Sequence, residues 1–298
     1  MWDGLMRKCL ELMLVALAIG LAAPALATCD IRLGPIRSSP IAYDPFELGS
    51  ADGLVSLSAD LVDGDECEAV IALTDQSGAP LRAFRFTAGD RSVTLRGELR
   101  ETSNVRVTGS PDSVRVRLSR AAPHADLVWR LLSSEDAVLP PGDATLDIVA
   151  TSALALGSTN SSRGTLILRS LPRAQANLAG AAGSFASGNQ AQTIDFGALT
   201  TGAQRQVFLQ VRANVPAHLS FTSAHGGFLA NEADARIRVP YAINFDGQPL
   251  QLASIDRRDV APPLSINGAA FPIIVTIGDV RGAIAGRYSD TVSIEISP

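Results

Sequence analysis

The sequence predicts an all-β protein made of two immunoglobulin-like β-sandwich domains. Three observations lead to that reading. Val, Ile, Thr and Ser recur in short alternating stretches, Gly and Pro punctuate them, and no long window carries helical periodicity. The chain of 298 residues also exceeds the usual size of one domain.

The N-terminal segment reads as a signal peptide. Arg7 and Lys8 precede an apolar run over 12–23, and Ala25-Leu26-Ala27 supplies a small-x-small cleavage pattern. An apolar run of about 12 residues falls short of the ~20 that span a bilayer. Leu26-Ala27-Thr28-Cys29 approaches a lipobox, but Thr beside the cysteine fits that pattern poorly. Cleavage near Ala27 removes residues 1–27 and leaves 271 of the 298. It also removes Cys9, so Cys29 and Cys67 remain, and in an exported chain two cysteines most simply pair. Neither lies in a C-x-x-C or near a histidine, which disfavours the rival readings of a reactive thiol or a metal pair.

The first domain is read over 28–172. Strands are expected over 54–59, 68–74, 81–86, 92–95, 105–108, 114–118 and 144–150. In "VRVRL", Val114, Val116 and Leu118 share one face while Arg115 and Arg117 take the other. "TLILRS" (165–170) offers one more strand that could complete this sandwich from within the chain. "LVWRLL", with Val128, Trp129, Leu131 and Leu132, is strongly apolar. Its ordinary reading is core, and its sharper reading is a candidate surface-binding loop.

A flexible linker is expected over 173–192, where residues are small and polar. The second domain is read over 193–298, with strands in "TIDFGAL", "QVFLQVRANV", "AHLSFTS", "ARIRVPYAINF", "FPIIVTIGDV" and the closing "VSIEIS". "PPGDATLDIVATS" (140–152) echoes "AGRYSDTVSIEIS" (285–297), which suggests a duplicated domain or two sandwiches that converged.

Catalytic chemistry finds no constellation. The three histidines, His124, His218 and His225, are not spaced as a metal pair, and no G-x-S-x-G elbow, P-loop or dinucleotide turn occurs. "HGGF" (225–228) lacks a nucleophile elbow to serve, and the acidic groups around Glu135 and Glu232 read as solvated loops. No enzyme activity and no cofactor are expected. The net charge of −5 and the absence of a basic stripe argue against nucleic acid as a partner. Lys8 is the chain's one lysine, so the exported protein cannot polymerise through lysine crosslinks.

The closing segment "AGRYSDTVSIEIS", with Gly286, Tyr288 and Asp290, resembles the end of the spore coat protein U domain family, which includes subunits of archaic chaperone-usher pili. Phe196-Gly197 in "IDFGAL", the Gly202 turn, Tyr241 in "RVPYAINFDG" and "FPIIVTIGDV" stand in family order. The likeness covers 193–298 well and 29–155 weakly. The second domain departs from the family pattern in lacking a disulfide, and Ser297-Pro298 stands where an aromatic residue is common.

What the resemblance implies is a C-terminal sandwich missing its last strand. A periplasmic chaperone lends that strand, an adjacent pilin subunit later donates its own, and an outer-membrane usher directs assembly on the cell surface. Val292, Ile294 and Ile296 would line the groove. Cys29 so near the cleavage point leaves no room for a donor extension, which suggests a tip adhesin contacting an abiotic or host surface and promoting biofilm. The alternatives are a non-tip or secreted structural relative and a secreted carbohydrate-binding sandwich.

Overall fold

A computed structural model describes residues 29–47, 51, 53–108, 113–133, 137–154, 159–185 and 188–298. The expected signal peptide and the acidic segment at Glu135 lie outside the described residues. The fold is all-β. Its strands are β1 (Asp30–Leu33), β2 (Arg37–Ser38), β3 (Ile41–Tyr43), β4 (Gly53–Asp63), β5 (Glu66–Thr74), β6 (Phe84–Ala88), β7 (Arg91–Leu99), β8 (Val105–Val107), β9 (Ser113–Ser119), β10 (His124–Ser133), β11 (Gly142–Leu154) and β12 (Asn160–Ser170). There follow β13 (Ala174–Ala179), β14 (Gln204–Ala213), β15 (Ala217–Ser223), β16 (Phe228–Asn231), β17 (Arg238–Phe245), β18 (Gln248–Pro249), β19 (Asp256–Val260), β20 (Ala269–Ile277), β21 (Tyr288–Ser289) and β22 (Val292–Ser297).

Two sheets form the first sandwich. One has the order β1-β4-β10-β7-β6, with β2 also on β4, and the other β3-β12-β11-β5-β9-β8. Alternation builds its core: Val114, Val116 and Leu118 are buried while Arg115 and Arg117 are exposed. The Cys29–Cys67 disulfide forms as expected and ties the start of β1 in one sheet to β5 in the other. "TLILRS" lies in β12, antiparallel to β11 and parallel to β3. It therefore belongs to the first sandwich.

The candidate surface-binding loop is corrected. "LVWRLL" lies in β10, between β4 and β7. Trp129 is 4% exposed and Leu131 0%, while Val128 and Leu132 are half-buried on the other face. A two-sided sheet position buries large apolar side chains, so this segment holds the domain together and touches no outside surface with its tryptophan.

In the second sandwich the order is β13-β14-β20-β17-β16-β21, with β18 on β17, facing the three-stranded sheet β19-β15-β22. Phe221, Phe245 and Phe271 pack as tilted pairs from its core outward, with ring centroids 5.1 and 5.7 Å apart. Two expectations change here. The stretch read as a flexible linker contains β13, paired with β14 from Ala174–Ala213 to Ala179–Phe208. Alanine and asparagine have weak strand propensity, but backbone pairing and the core beneath override it. "TIDFGAL" is not a strand, because the Asp195 carboxylate accepts the Gly197 amide at 2.7 Å and turns the chain, with Gly197 at φ +63°.

Candidate functional site at the open edge of the second sandwich

The two sandwiches close differently. Among the described residues, the first core counts 30 buried apolar side chains and 9 half-buried ones packed against them. The second counts 17 buried and 15 half-buried. That excess of half-covered apolar surface marks a sandwich whose interior reaches solvent.

Part of it lies along β22 and β13, the edge strands of the two facing sheets. Val292, Ile294 and Ile296 alternate with exposed Ser293, Glu295 and Ser297, and each is only half-buried. Ile294 stands opposite Phe221 and Ile296 opposite Leu219, both fully buried on β15, so this row faces the core. On β13, Ala174, Ala176 and Leu178 stand opposite Ala213, Val211 and Leu209, which are likewise buried. They too are half-buried against the core. β13 and β22 approach each other across the edge without forming a ladder.

The backbone of both strands faces the same open side. The Ala224 amide donates to the Thr291 carbonyl at 2.9 Å, which sets the phase of the β15–β22 ladder. By antiparallel alternation, Thr291, Ser293 and Glu295 then bond to β15, while the amides and carbonyls of Val292, Ile294 and Ile296 point outward. On β13 the Asn214 amide donates to Arg173 O at 3.1 Å, so the Ala174, Ala176 and Leu178 groups point away from β14. Leu178 is bridged at one point by Asn189, at 2.7 and 2.6 Å. Among the described residues no strand pairs with the outer edge of β22. A strand laid there would gain a ladder and cover apolar rows worth about 1.5–3 kcal/mol per fully buried large side chain.

A buried polar cluster holds β22 in place. Asp290, with its side chain 2% exposed, accepts from the Tyr241 hydroxyl at 2.6 Å, from the Ser223 hydroxyl, and from the His225 and Thr291 amides at 3.1 and 2.7 Å. Ser223 Oγ in turn accepts the Gly227 amide at 2.9 Å. The cluster joins β15, β17 and the turn before β22. Burial first, then the neighbouring Asp290 carboxylate, pushes the Tyr241 phenol well above its ordinary value of 10.0. The Tyr288 hydroxyl closes the preceding loop, donating to Ile284 O at 3.0 Å and accepting the Ile284 amide at 2.9 Å. Gly286 sits at φ +153°, and a Cβ there would come within 2.6 Å of Asn231 Nδ2.

The structure thus brings Tyr241 and Asp290 together at the turn that leads into the edge row, with Tyr288 and Gly286 in the approach to it. Phe196 and Gly197 stand apart in a turn, where Arg205 lies 5.7 Å from the Phe196 ring centroid. The β13 row escaped the sequence reading. Its one signal was the A-x-A-x-L alternation of Ala174, Ala176 and Leu178, too small in side-chain volume to stand out from a linker.

No protein-family model matches the chain, and no curated protein sequence matches it significantly. Among solved structures, it is similar to the chaperone–tip adhesion subunit pre-assembly complex of archaic chaperone-usher Csu pili from Acinetobacter baumannii. The TM-score is 0.52 at 13% identity, over 90% of this chain and 99% of that one. It is also similar to the tip adhesin CupB6 of Pseudomonas aeruginosa, with TM-score 0.33 at 14% identity over 90% and 94% of the two chains. CfaE, the adhesive subunit of the CFA/I fimbria of enterotoxigenic Escherichia coli, matches with TM-score 0.34 at 10% identity over 90% and 81%. At 0.52, the first match establishes a shared β-sandwich fold.

Proposed function

We propose that the chain is a tip adhesin of a chaperone-usher pilus, exported through the periplasm and anchored to its fibre by a strand donated into the second sandwich. The observation that carries this reading is the open edge: Val292, Ile294 and Ile296 present half-buried side chains and outward backbone groups opposite a matching row on β13. Strand addition satisfies both at once. A chaperone strand would occupy the edge first, and a neighbouring subunit's strand would replace it at the usher. The likeness, over 90% of this chain, to a chaperone–tip adhesion subunit complex supports the same reading.

The first sandwich would make the contact. From Cys29 onward it is closed by its own disulfide and strands, with few half-covered apolar side chains. The ends of β3 and β12 and the segment at Leu139 face the second sandwich, so among the described residues the far end includes the turns 63–66 and 119–123. Val62, Ala121, Ala122 and Pro123 are exposed there, and Arg120 binds Asp65 at 2.7 Å across the two turns. Exposed apolar turn tips suit a surface that offers few hydrogen bonds, such as an abiotic material on which a biofilm starts.

Co-expression of the tagged full chain with a periplasmic pilus chaperone tests the anchoring. Recovery of a stoichiometric complex that Ile294→Asp abolishes is the expected result. Equal recovery with Ile294→Asp would refute the role of the edge.

A further inference from the structure

Tandem sandwiches are ordinarily joined by a mobile linker, and relative motion is the default unless the interface is specific. Here Leu171, Pro172 and Arg173 connect β12 to β13. The Leu171 amide donates to Tyr43 O at 3.0 Å, Pro172 has no amide, and the Arg173 amide donates to Asn214 Oδ1 at 2.7 Å. The Asn214 amide returns a bond to Arg173 O at 3.1 Å. Asn214 belongs to the second sandwich and is 3% exposed. Its Nδ2 donates to Leu139 O at 3.1 Å and Leu171 O at 2.9 Å, with Ser170 Oγ at 3.4 Å. One carboxamide therefore grips both the connection and the first sandwich.

A second grip flanks it. The Arg212 guanidinium lies over two rings, Phe46 of the first sandwich at 4.9 Å and Phe185 of the second at 4.2 Å. It donates to Gln175 Oε1 at 2.6 and 2.9 Å and to Phe46 O at 3.2 Å. Arg173 pairs with the mostly buried Asp44. On another side, Arg91 donates to Leu264 O at 2.7 Å.

We infer that this junction is a lock: Asn214 and Arg212 fix the two sandwiches at one angle and leave no hinge between them. Every amide of 171–173 is satisfied, and the planar Asn214 and Arg212 groups are each held from two domains, so bending breaks several bonds together. The inference does not depend on what the protein binds. If the adhesin reading holds, the lock carries tension from the distal turns to β13 and the groove without a bend.

Hydrogen exchange on the full-length exported chain tests it. The Leu171 and Arg173 amides should exchange about a hundredfold more slowly than open-loop amides. Asn214→Ala should speed both by about tenfold or more, the loss of one to two hydrogen bonds. If that variant does not fold, Arg212→Lys, which keeps the charge but loses the fork, is read by the same criterion. Small-angle scattering of the unmodified chain should fit a single domain orientation. Free exchange at 171–173 in the unmodified chain, unchanged exchange in the folded variant, or scattering that needs a spread of orientations would each overturn the lock.

Discussion

The Tyr241 hydroxyl donates to Asp290 Oδ2 at 2.6 Å, joining the middle of β17 to the turn that launches β22. Removing the donor in Tyr241→Phe should cost about 1 kcal/mol. Asp290→Ala, which strands the Tyr241 and Ser223 hydroxyls and two amides, should cost about 3 kcal/mol. Urea unfolding followed by a probe in the second sandwich measures both, and the larger loss should fall on Asp290.

The same pair sets an alkaline limit. The phenol titrates higher in the folded protein than its ordinary 10.0, so the folded state holds this proton more tightly. Its stabilisation is complete below pH 10 and is lost as pH rises through the folded value. Unfolding free energy of the second sandwich should fall above pH 10, and Tyr241→Phe should flatten that fall.

His124 makes a pH prediction of the same sign, near neutrality rather than in alkali. Its Nδ1 donates to the Asp60 carboxylate at 2.6 Å, and that bond, with the nearby Asp126, raises it above the usual 6.5. Any stabilisation from this exposed pair is present below pH 6.5 and is lost as pH rises through the folded value. An NMR titration should find the upward shift, and Asp60→Asn should shrink it.

Trp129 separates stability from adhesion. As a core residue of β10, its replacement by alanine should cost about 3–5 kcal/mol. Asp substitutions at exposed Ala121 and Ala122 should leave thermal unfolding unchanged and lower surface attachment. The disulfide is a further core element: it closes a separation of 38 residues, so Cys67→Ser should destabilise the first sandwich by about 3–4 kcal/mol.

How far the sequence could be read depended on side-chain size. Alternation in Val114–Leu118 and in Val292–Ile296 exposed both strands, because large β-branched residues against Arg, Ser and Glu leave one face unmistakable. Cys29 and Cys67 were legible as a pair because the expected cleavage near Ala27 would leave no other cysteine. β13 was hidden because Ala174 and Ala176 carry little apolar signal, although their backbone ladder is as regular as any other. The Trp129 cluster could not be placed from composition, since burial depends on the flanking strands β4 and β7. The junction was invisible for a related reason: Asn214 and Arg212 are ordinary polar residues until Leu139, Leu171 and Phe46 are brought to them.

The claim that the second sandwich awaits a strand is tested most directly by amide hydrogen exchange on β22, in the full chain alone and bound to a periplasmic pilus chaperone. The outward-facing amides of Val292, Ile294 and Ile296 should exchange freely in the chain alone and become protected in the complex, while Ser293 and Glu295, bonded to β15, change little. Protection of Val292, Ile294 and Ile296 already complete in the chain alone, or unaltered by the chaperone, would contradict the account.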